Sequence, residues 1–151
     1  VLINGFTFPN TVSAGQLIKT DGSKVLSTVV FPFVVTDTDI QDGTATITGN
    51  SSAQVIDSFS ATTYRSAKYQ IQISDATANR YKLVEANVTH NGSTAFISII
   101  GGASNGAGDG STIYDSLDIS ADISGGNVRL LGTVNNTNSQ VIKFVKRVIK
   151  V

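Results

Sequence analysis

The stretch Ala67-Lys68-Tyr69-Gln70-Ile71-Gln72-Ile73-Ser74 decides the fold of this chain. Its apolar side chains stand at every second position and alternate with lysine, glutamine and serine. A period of two is typical of a strand in an antiparallel sheet that has one face in a core and the other in water. The sequence therefore predicts a half-buried strand whose inward side chains are Ala67, Tyr69, Ile71 and Ile73.

Strand patterns continue on both sides of this stretch. Residues 81–90 are the predicted return strand, and its inward side chains are Val84, Ala86 and Val88. The dipeptide Asn91-Gly92 predicts a hairpin, because both residues tolerate the positive φ angles of a type I′ turn. The other predicted strands cover residues 29–35, 44–48, 54–60, 95–100, 112–119, 128–134 and 141–151.

Short strands at intervals of about 8–12 residues, without helical segments between them, indicate a β-sandwich or a barrel. The sequence predicts an all-β fold with an antiparallel, jelly-roll-like β-sandwich head over residues 28–151. Residues 1–27 differ, because short apolar runs surround polar turns there and no long strand is present. We expect them to form a short extended β shaft stub whose apolar side chains are buried only between chains.

Composition excludes several classes of function. The chain has 151 residues with 11 acidic and 11 basic side chains, so its formal net charge is zero. This balance argues against a nucleic-acid partner bound by neutralising phosphates. There is no cysteine, no apolar run near the ~20 residues of a membrane span and no signal-peptide pattern. We expect no membrane insertion, no metal and no other cofactor, and the missing initiator methionine suggests a fragment of a longer protein.

Charge is unevenly distributed near the end of the chain. No acidic residue follows Asp122, whereas five basic residues do, beginning with Arg129. The pattern predicts that acidic and basic strands face each other, within one protomer or between protomers.

The final strand carries apolar side chains on both faces. A strand of a two-layer sandwich has only one inner face to bury. We therefore expect a neighbouring subunit to cover the other face. Together with the stub, this places the predicted subunit interface at Phe6, Phe8, Leu17, Ile18, Phe144 and Val148.

Three features resemble chemical sites but favour structural roles. His90 precedes Asn91-Gly92 and is predicted to hydrogen-bond that turn, since no Gly-x-Ser-x-Gly nucleophile motif accompanies it. The acidic run at residues 37–42 lacks the glycine and glutamate spacing of a calcium loop, so a solvated turn is expected, with a cation site as the alternative. Tyr69 and Tyr81 are expected to face inward and to pack in the core.

Recognition most often lies in long loops on a rigid sandwich. The glycine-rich residues 101–110 are predicted to form such a loop, and residues 135–138 a second one. The candidate receptor-contact residues in the two loops are Ser104, Asn105, Asp109, Asn135, Asn136 and Asn138.

The stub sequence Gly5-Phe6-Thr7-Phe8-Pro9-Asn10-Thr11, with Gly15-Gln16-Leu17-Ile18-Lys19-Thr20-Asp21-Gly22-Ser23, resembles a short module of bacteriophage tail-fibre and related virion structural proteins. Residues 64–73, 88–95 and 122–131 are similar to a β-rich domain in structural proteins of tailed phages, including those of marine cyanobacteria. The resemblance implies a trimeric fibre or appendage with a shaft stub and a β-sandwich head.

The resemblance therefore implies a virion structural protein, the distal part of a trimeric phage tail fibre that contributes to host-surface attachment. Its implied partners are other copies of itself, other virion proteins and a host-surface glycan, and it would be assembled in the bacterial host cytoplasm. The sequence predicts no enzyme, because no two carboxylates can be nominated that flank a cleft. The alternatives are a capsid decoration or head-fibre protein and a secreted carbohydrate-binding module.

Overall fold

A computed structural model describes residues 36–105 and 117–151 in full. It also describes the backbone of four short strands in the first 30 residues. The chain divides into two compact units, Val1–Thr36 and Asp37–Val151. The sequence placed this boundary after residue 27.

The described backbone of the first unit forms two antiparallel strand pairs. Strand β1 (Leu2–Ile3) pairs with β2 (Phe6–Thr7), and β3 (Gln16–Thr20) pairs with β4 (Leu26–Val30). The predicted strand over residues 29–35 begins inside β4, and residues 31–35 lie outside the described residues.

The second unit is an antiparallel β-sandwich, so the predicted all-β class is confirmed. Its strands are β5 (Thr38–Ile47), β6 (Gln54–Ser60), β7 (Tyr64–Asp75), β8 (Arg80–His90), β9 (Ala95–Ile100), β10 (Leu117–Ser124), β11 (Asn127–Val134) and β12 (Gln140–Lys150). The larger sheet has the strand order β5-β12-β7-β8-β9, and the smaller sheet has the order β10-β11-β6. One cluster of buried apolar side chains from both sheets forms the core.

In β7 and β8, the residues that the alternation predicts to face inward are buried. Tyr69 and Ile71 of β7 are fully buried, as is Ala86 of β8. Tyr81 is an exception, because it lies on the opposite face of β8 and is 44% exposed. The expectation that Tyr81 packs in the core is therefore wrong; it occupies an outward position at the start of the strand.

Strand β12 lies inside the larger sheet, between β5 and β7. Its inward residues Phe144 and Val148 are 7% and 0% exposed and belong to the core of their own chain. The prediction that Phe144 and Val148 contact another subunit is therefore wrong, because both side chains are buried within their own chain. The Phe144 ring covers the cross-strand Gly43, where an added Cβ would come within 2.5 Å of the ring.

The acidic run predicted as a turn is instead part of strand β5, which begins at Thr38. Asp39 points inward and accepts a hydrogen bond from the Tyr64 hydroxyl, which raises the pKa of Tyr64. Within residues 36–105 and 117–151, no three His, Cys, Asp or Glu side chains come together where they could hold a metal ion. The same described residues contain no helix long and apolar enough to cross a membrane.

The hairpin after β8 is present, but its loop has four residues, 91–94, and is not the predicted two-residue turn. The Asn91 carboxamide oxygen accepts hydrogen bonds from the backbone N–H groups of Ser93 and Thr94, at 3.0 and 2.8 Å. His90 is buried and its Nδ1 accepts the N–H of Gly92 at 3.0 Å, as the sequence predicted. Its Nε2 therefore carries the proton and donates to the Tyr64 carbonyl at 2.8 Å.

The predicted facing of acidic and basic residues occurs between β10 and β11. Asp122 lies directly opposite Arg129, and the guanidinium donates two hydrogen bonds to the carboxylate. These hydrogen bonds lower the pKa of Asp122.

A buried polar cluster joins the two sheets. Lys146 of β12 is 3% exposed and its Nζ lies 2.5 Å from an Asp57 carboxylate oxygen of β6. The Tyr69 hydroxyl of β7 donates to the same oxygen at 2.8 Å. Lys146 also donates to the Ser58 carbonyl at 3.2 Å, so the ammonium group is well satisfied. A buried charge requires such partners, because its transfer out of water is costly.

A β-bulge in β6 explains how Asp57 reaches the core. Leu130 of β11 lies opposite Asp57, whereas the next residue, Leu131, lies opposite Val55, so Ile56 is an extra residue in β6. A bulge can redirect a side chain that regular alternation would point outward. Here Ile56 and Asp57 both face the core, with Ile56 6% exposed.

Lys146→Met should lower the free energy of unfolding by about 3–5 kcal/mol, because Asp57 would be left buried without its counter-ion. Urea denaturation monitored by circular dichroism measures the change. Lys143→Met, on the outward side of the same strand, is the matched control and should change stability by about 0.5 kcal/mol or less. A Lys146→Met variant as stable as the parent would contradict the role of the cluster.

The same cluster predicts a loss of stability at alkaline pH. Burial, followed by the nearby Asp57 carboxylate, raises the pKa of Tyr69 far above its ordinary value of about 10. The stability that the neutral hydroxyl contributes is thus complete below about pH 10 and is lost as the pH rises beyond it, because only the unfolded chain ionises there. Tyr69→Phe should flatten this decline between pH 9 and about pH 11 in urea titrations. An equally steep decline in the variant would show that Tyr69 is not responsible.

Candidate binding face

The side of the larger sheet that points away from the core is called the outer face. Its described side chains are only partly covered, and large apolar groups among them are 40–75% exposed. They are Ile40, Tyr81, Leu83, Phe96, Ile100, Val145 and Ile149. An exposed apolar surface of this kind marks an interaction site more often than isolated apolar residues do.

The register of the strands arranges the outer face in rows that run across the sheet. One row places Ile149 of β12, Ser66 of β7, Thr89 of β8 and Phe96 of β9 side by side. The next row contains Ile40, Arg147, Lys68, Asn87 and Ser98. Apolar, cationic and amide side chains therefore alternate at close spacing, which suits a ligand with both apolar and polar surfaces.

Two shallow depressions lie near opposite ends of the outer face. The first, which we call the Phe96 trough, has a volume of about 460 Å³. Its lining includes Ser66, Lys68, Thr89, Phe96, Arg147 and Ile149. The second has a volume of about 440 Å³ and lies beside Gln72, Tyr81 and Leu83.

The first predicted receptor loop is held against the edge of the sheet in its described part. The Leu83 N–H donates to the Ala103 carbonyl at 2.8 Å. The Asn105 carboxamide accepts the Tyr81 N–H at 2.8 Å and donates to the Asn79 carbonyl at 3.0 Å. Gly102 permits this close approach, since an added Cβ would lie 1.6 Å from the Leu83 carbonyl oxygen.

Asn105 therefore has both ends of its carboxamide engaged within the chain, and Ser104 is only partly exposed. The third residue predicted in this loop, Asp109, lies outside the described residues.

The second predicted loop is also tied down by its own asparagines. The Asn138 carboxamide donates to both carboxylate oxygens of Asp75, which is 1% exposed. The Asn136 carboxamide oxygen accepts the Asn138 N–H at 3.1 Å. Asn135 is exposed and donates to Asp118 at 3.0 Å. These side chains stabilise the loop, so their predicted receptor contacts remain a prediction without support from the geometry.

The stub residues predicted at a subunit interface are partly within the described backbone. Phe6 lies in β2, and Leu17 and Ile18 lie in β3. Phe8 lies outside the described residues.

Sequence reasoning missed the outer face as a site. The available signal was apolar residues at positions where the alternation predicts polar ones, such as Leu83 and Phe96. For β12 the sequence correctly predicted that one apolar face is left uncovered by its own chain. The prediction named the residues of the wrong face, because Phe144 and Val148 are buried and the exposed residues are Val145 and Ile149.

No protein-family model and no curated protein sequence matches this chain. Among solved structures, the chain is similar to the tailspike protein of Acinetobacter baumannii phage AM24, with a TM-score of 0.42 and 9% identity over 76% of this chain. It is also similar to a tailspike of A. baumannii phage Fri1, with a TM-score of 0.39 and 15% identity over 76% of this chain. A third similar structure is the tailspike of Acinetobacter phage vB_ApiP_P1, with a TM-score of 0.34 and 16% identity over 85% of this chain.

The matched part covers 26%, 20% and 26% of these three tailspikes, so the chain spans about a quarter of their length or less. The Fri1 tailspike is described as a capsular polysaccharide depolymerase, which is an enzyme. This finding corrects the prediction that the chain is not an enzyme. The predicted likeness to cyanophage proteins stays a prediction.

Asn138→Ala should lower the free energy of unfolding by about 1–3 kcal/mol, because the buried Asp75 carboxylate would lose its carboxamide donor. The matched control is Asn135→Ala in the same loop, which removes an exposed hydrogen bond and should cost about 0.5 kcal/mol or less. Urea denaturation of both variants checks the difference. Equal stabilities would mean that Asn138 is free to serve a surface role.

Proposed function

We propose that the chain is the distal part of a bacteriophage tail appendage that attaches the virion to its host. The head contacts the host through the outer face, and the stub associates with the stubs of two further copies. The observation that carries the proposal is the outer face itself, where side chains such as Phe96, Val145 and Ile149 remain 46–52% exposed.

The motifs that resemble tailed-phage structural proteins support this role by their position in the head. Residues 64–73 lie in β7, the central strand of the larger sheet. Residues 88–95 contain the turn of the β8–β9 hairpin, and residues 122–131 contain the turn of the β10–β11 hairpin with the strand ends beside it. They therefore contribute to both sheets of the sandwich.

Assembly as a homotrimer would present three copies of the outer face together. Simultaneous binding raises the overall affinity well above that of one site, so shallow depressions are sufficient for attachment. The partners in this proposal are two further copies of the chain, other virion proteins and a molecule of the host surface.

Native mass spectrometry of the 151-residue chain should give three times the protomer mass of 15.8 kDa. Leu17→Asp in the stub should convert the trimer to a monomer, because a charge would enter the proposed apolar contact between chains. Val145→Asp, on the outer face of the head, should leave the trimer intact. A monomeric parent chain would overturn the proposal, as would a trimer that Val145→Asp dissociates, since the outer face would then lie between subunits.

A further inference from the structure

We propose that the Phe96 trough binds an acidic saccharide, with a sugar ring against Phe96 and the sugar carboxylate on Arg147. This inference adds a ligand class to the host contact proposed above. It rests on the side chains of the trough and does not depend on three-fold assembly.

The shape of the trough suits a sugar chain. Phe96 and Ile149, 52% and 46% exposed, stand at its two ends, and the smaller Ser66 and Thr89 lie between them in the same row. Four adjacent strands set the length of that row at roughly 14 Å, since neighbouring strands are about 4.8 Å apart. A volume of about 460 Å³ lies within the usual range of sites for small ligands.

An exposed aromatic ring beside hydroxyl and amide groups matches the two surfaces of a saccharide. The C–H face of a sugar ring is apolar and packs on an aromatic side chain, whereas the sugar hydroxyls need hydrogen-bonding partners. Thr89, Asn87 and Ser98 supply such partners next to Phe96, and all three are exposed. These groups are uncharged, so they neither require nor exclude a charged ligand.

The two cationic side chains in the lining of the trough, Arg147 and Lys68, favour a ligand that carries an acidic group. Arg147 lies directly opposite Lys68 in the register of β12 and β7. Like charges in this position destabilise a sheet. The Lys68 Nζ is paired with a Glu85 carboxylate oxygen at 2.8 Å. Among the described residues, the Arg147 guanidinium forms no ion pair and no side-chain hydrogen bond.

A bound carboxylate would relieve the repulsion between Arg147 and Lys68. The guanidinium of arginine matches a carboxylate with two parallel hydrogen bonds, which makes this pairing strong and directional. The Lys68–Glu85 ion pair offsets only one of the two like charges, so the Arg147 guanidinium is the charge that lacks a partner. Departures of this kind from local pairing rules are expected at functional or strained sites. The zero net charge of the chain opposes an extended polyanion such as a nucleic acid, and it leaves a locally acidic sugar as the favoured ligand.

Isothermal titration calorimetry of the full chain with trigalacturonate, and with its methyl ester as the uncharged counterpart, tests the inference. Trigalacturonate should bind at least about tenfold more tightly than the ester, since hydrogen bonds to charged groups are worth this much or more. Arg147→Gln should remove that preference. Lys143→Gln, which removes a cation from the same face of the same strand outside the trough, should retain it. Phe96→Ser should weaken binding of both saccharides.

Equal affinities for the acid and the ester would overturn the inference, as would an equal loss in Arg147→Gln and Lys143→Gln, or no binding of either saccharide. Native mass spectrometry of the same samples tests whether a second copy of the chain, and not a saccharide, occupies the trough. A change of oligomeric mass in Arg147→Gln would mean that a second copy of the chain fills the trough, which also overturns it. A monomeric chain that binds trigalacturonate with the expected preference would support the saccharide site and overturn only the proposed function.

Discussion

The ion pair between Lys146 and Asp57, with the Tyr69 hydroxyl on the same oxygen, determines the arrangement of the head. Its three members come from β12, β6 and β7, so it links both sheets. A displacement of either sheet would separate a buried charge from its partner, and such a separation costs more than most single contacts. The pair therefore acts together with the apolar alternation of β7 and β12 in selecting the side of each strand that faces the core. The opposite side of the same strands remains outside as part of the outer face.

Much of the fold could be predicted from the sequence because β7 and β8 have a regular apolar alternation. The first half of β5 could not, since Asp39 and Asp42 resemble a polar turn and gain their strand character only by pairing with β12. The burial of Lys146 could not be predicted either, because a lysine side chain is almost always exposed to solvent. Its partner Asp57 reaches the core through a bulge, and a bulge depends on the neighbouring strand, which one segment of sequence cannot reveal.

The candidate site was predicted less well, for a different physical reason. Asparagine-rich segments indicate exposed loops, but their carboxamides are also the groups that satisfy the backbone within such loops. Asn105 and Asn138 serve that purpose here. The outer face, in contrast, combines the consecutive strands β7, β8 and β9 with β12 and β5, which come from distant parts of the sequence. Arg147 and Lys68 become neighbours only through the register of β12 on β7, so their repulsion has no trace in either segment alone.

The strict separation of inward and outward residues on β7, β8 and β12 has a consequence for adaptation. Outward positions such as Lys68 and Arg147 contribute little to the core and can change without unfolding the head. Single outward substitutions can therefore change the chemistry of the outer face while the interior keeps the same framework. Under the attachment role proposed above, this separation would let the contact with a bacterial surface change at low cost in stability.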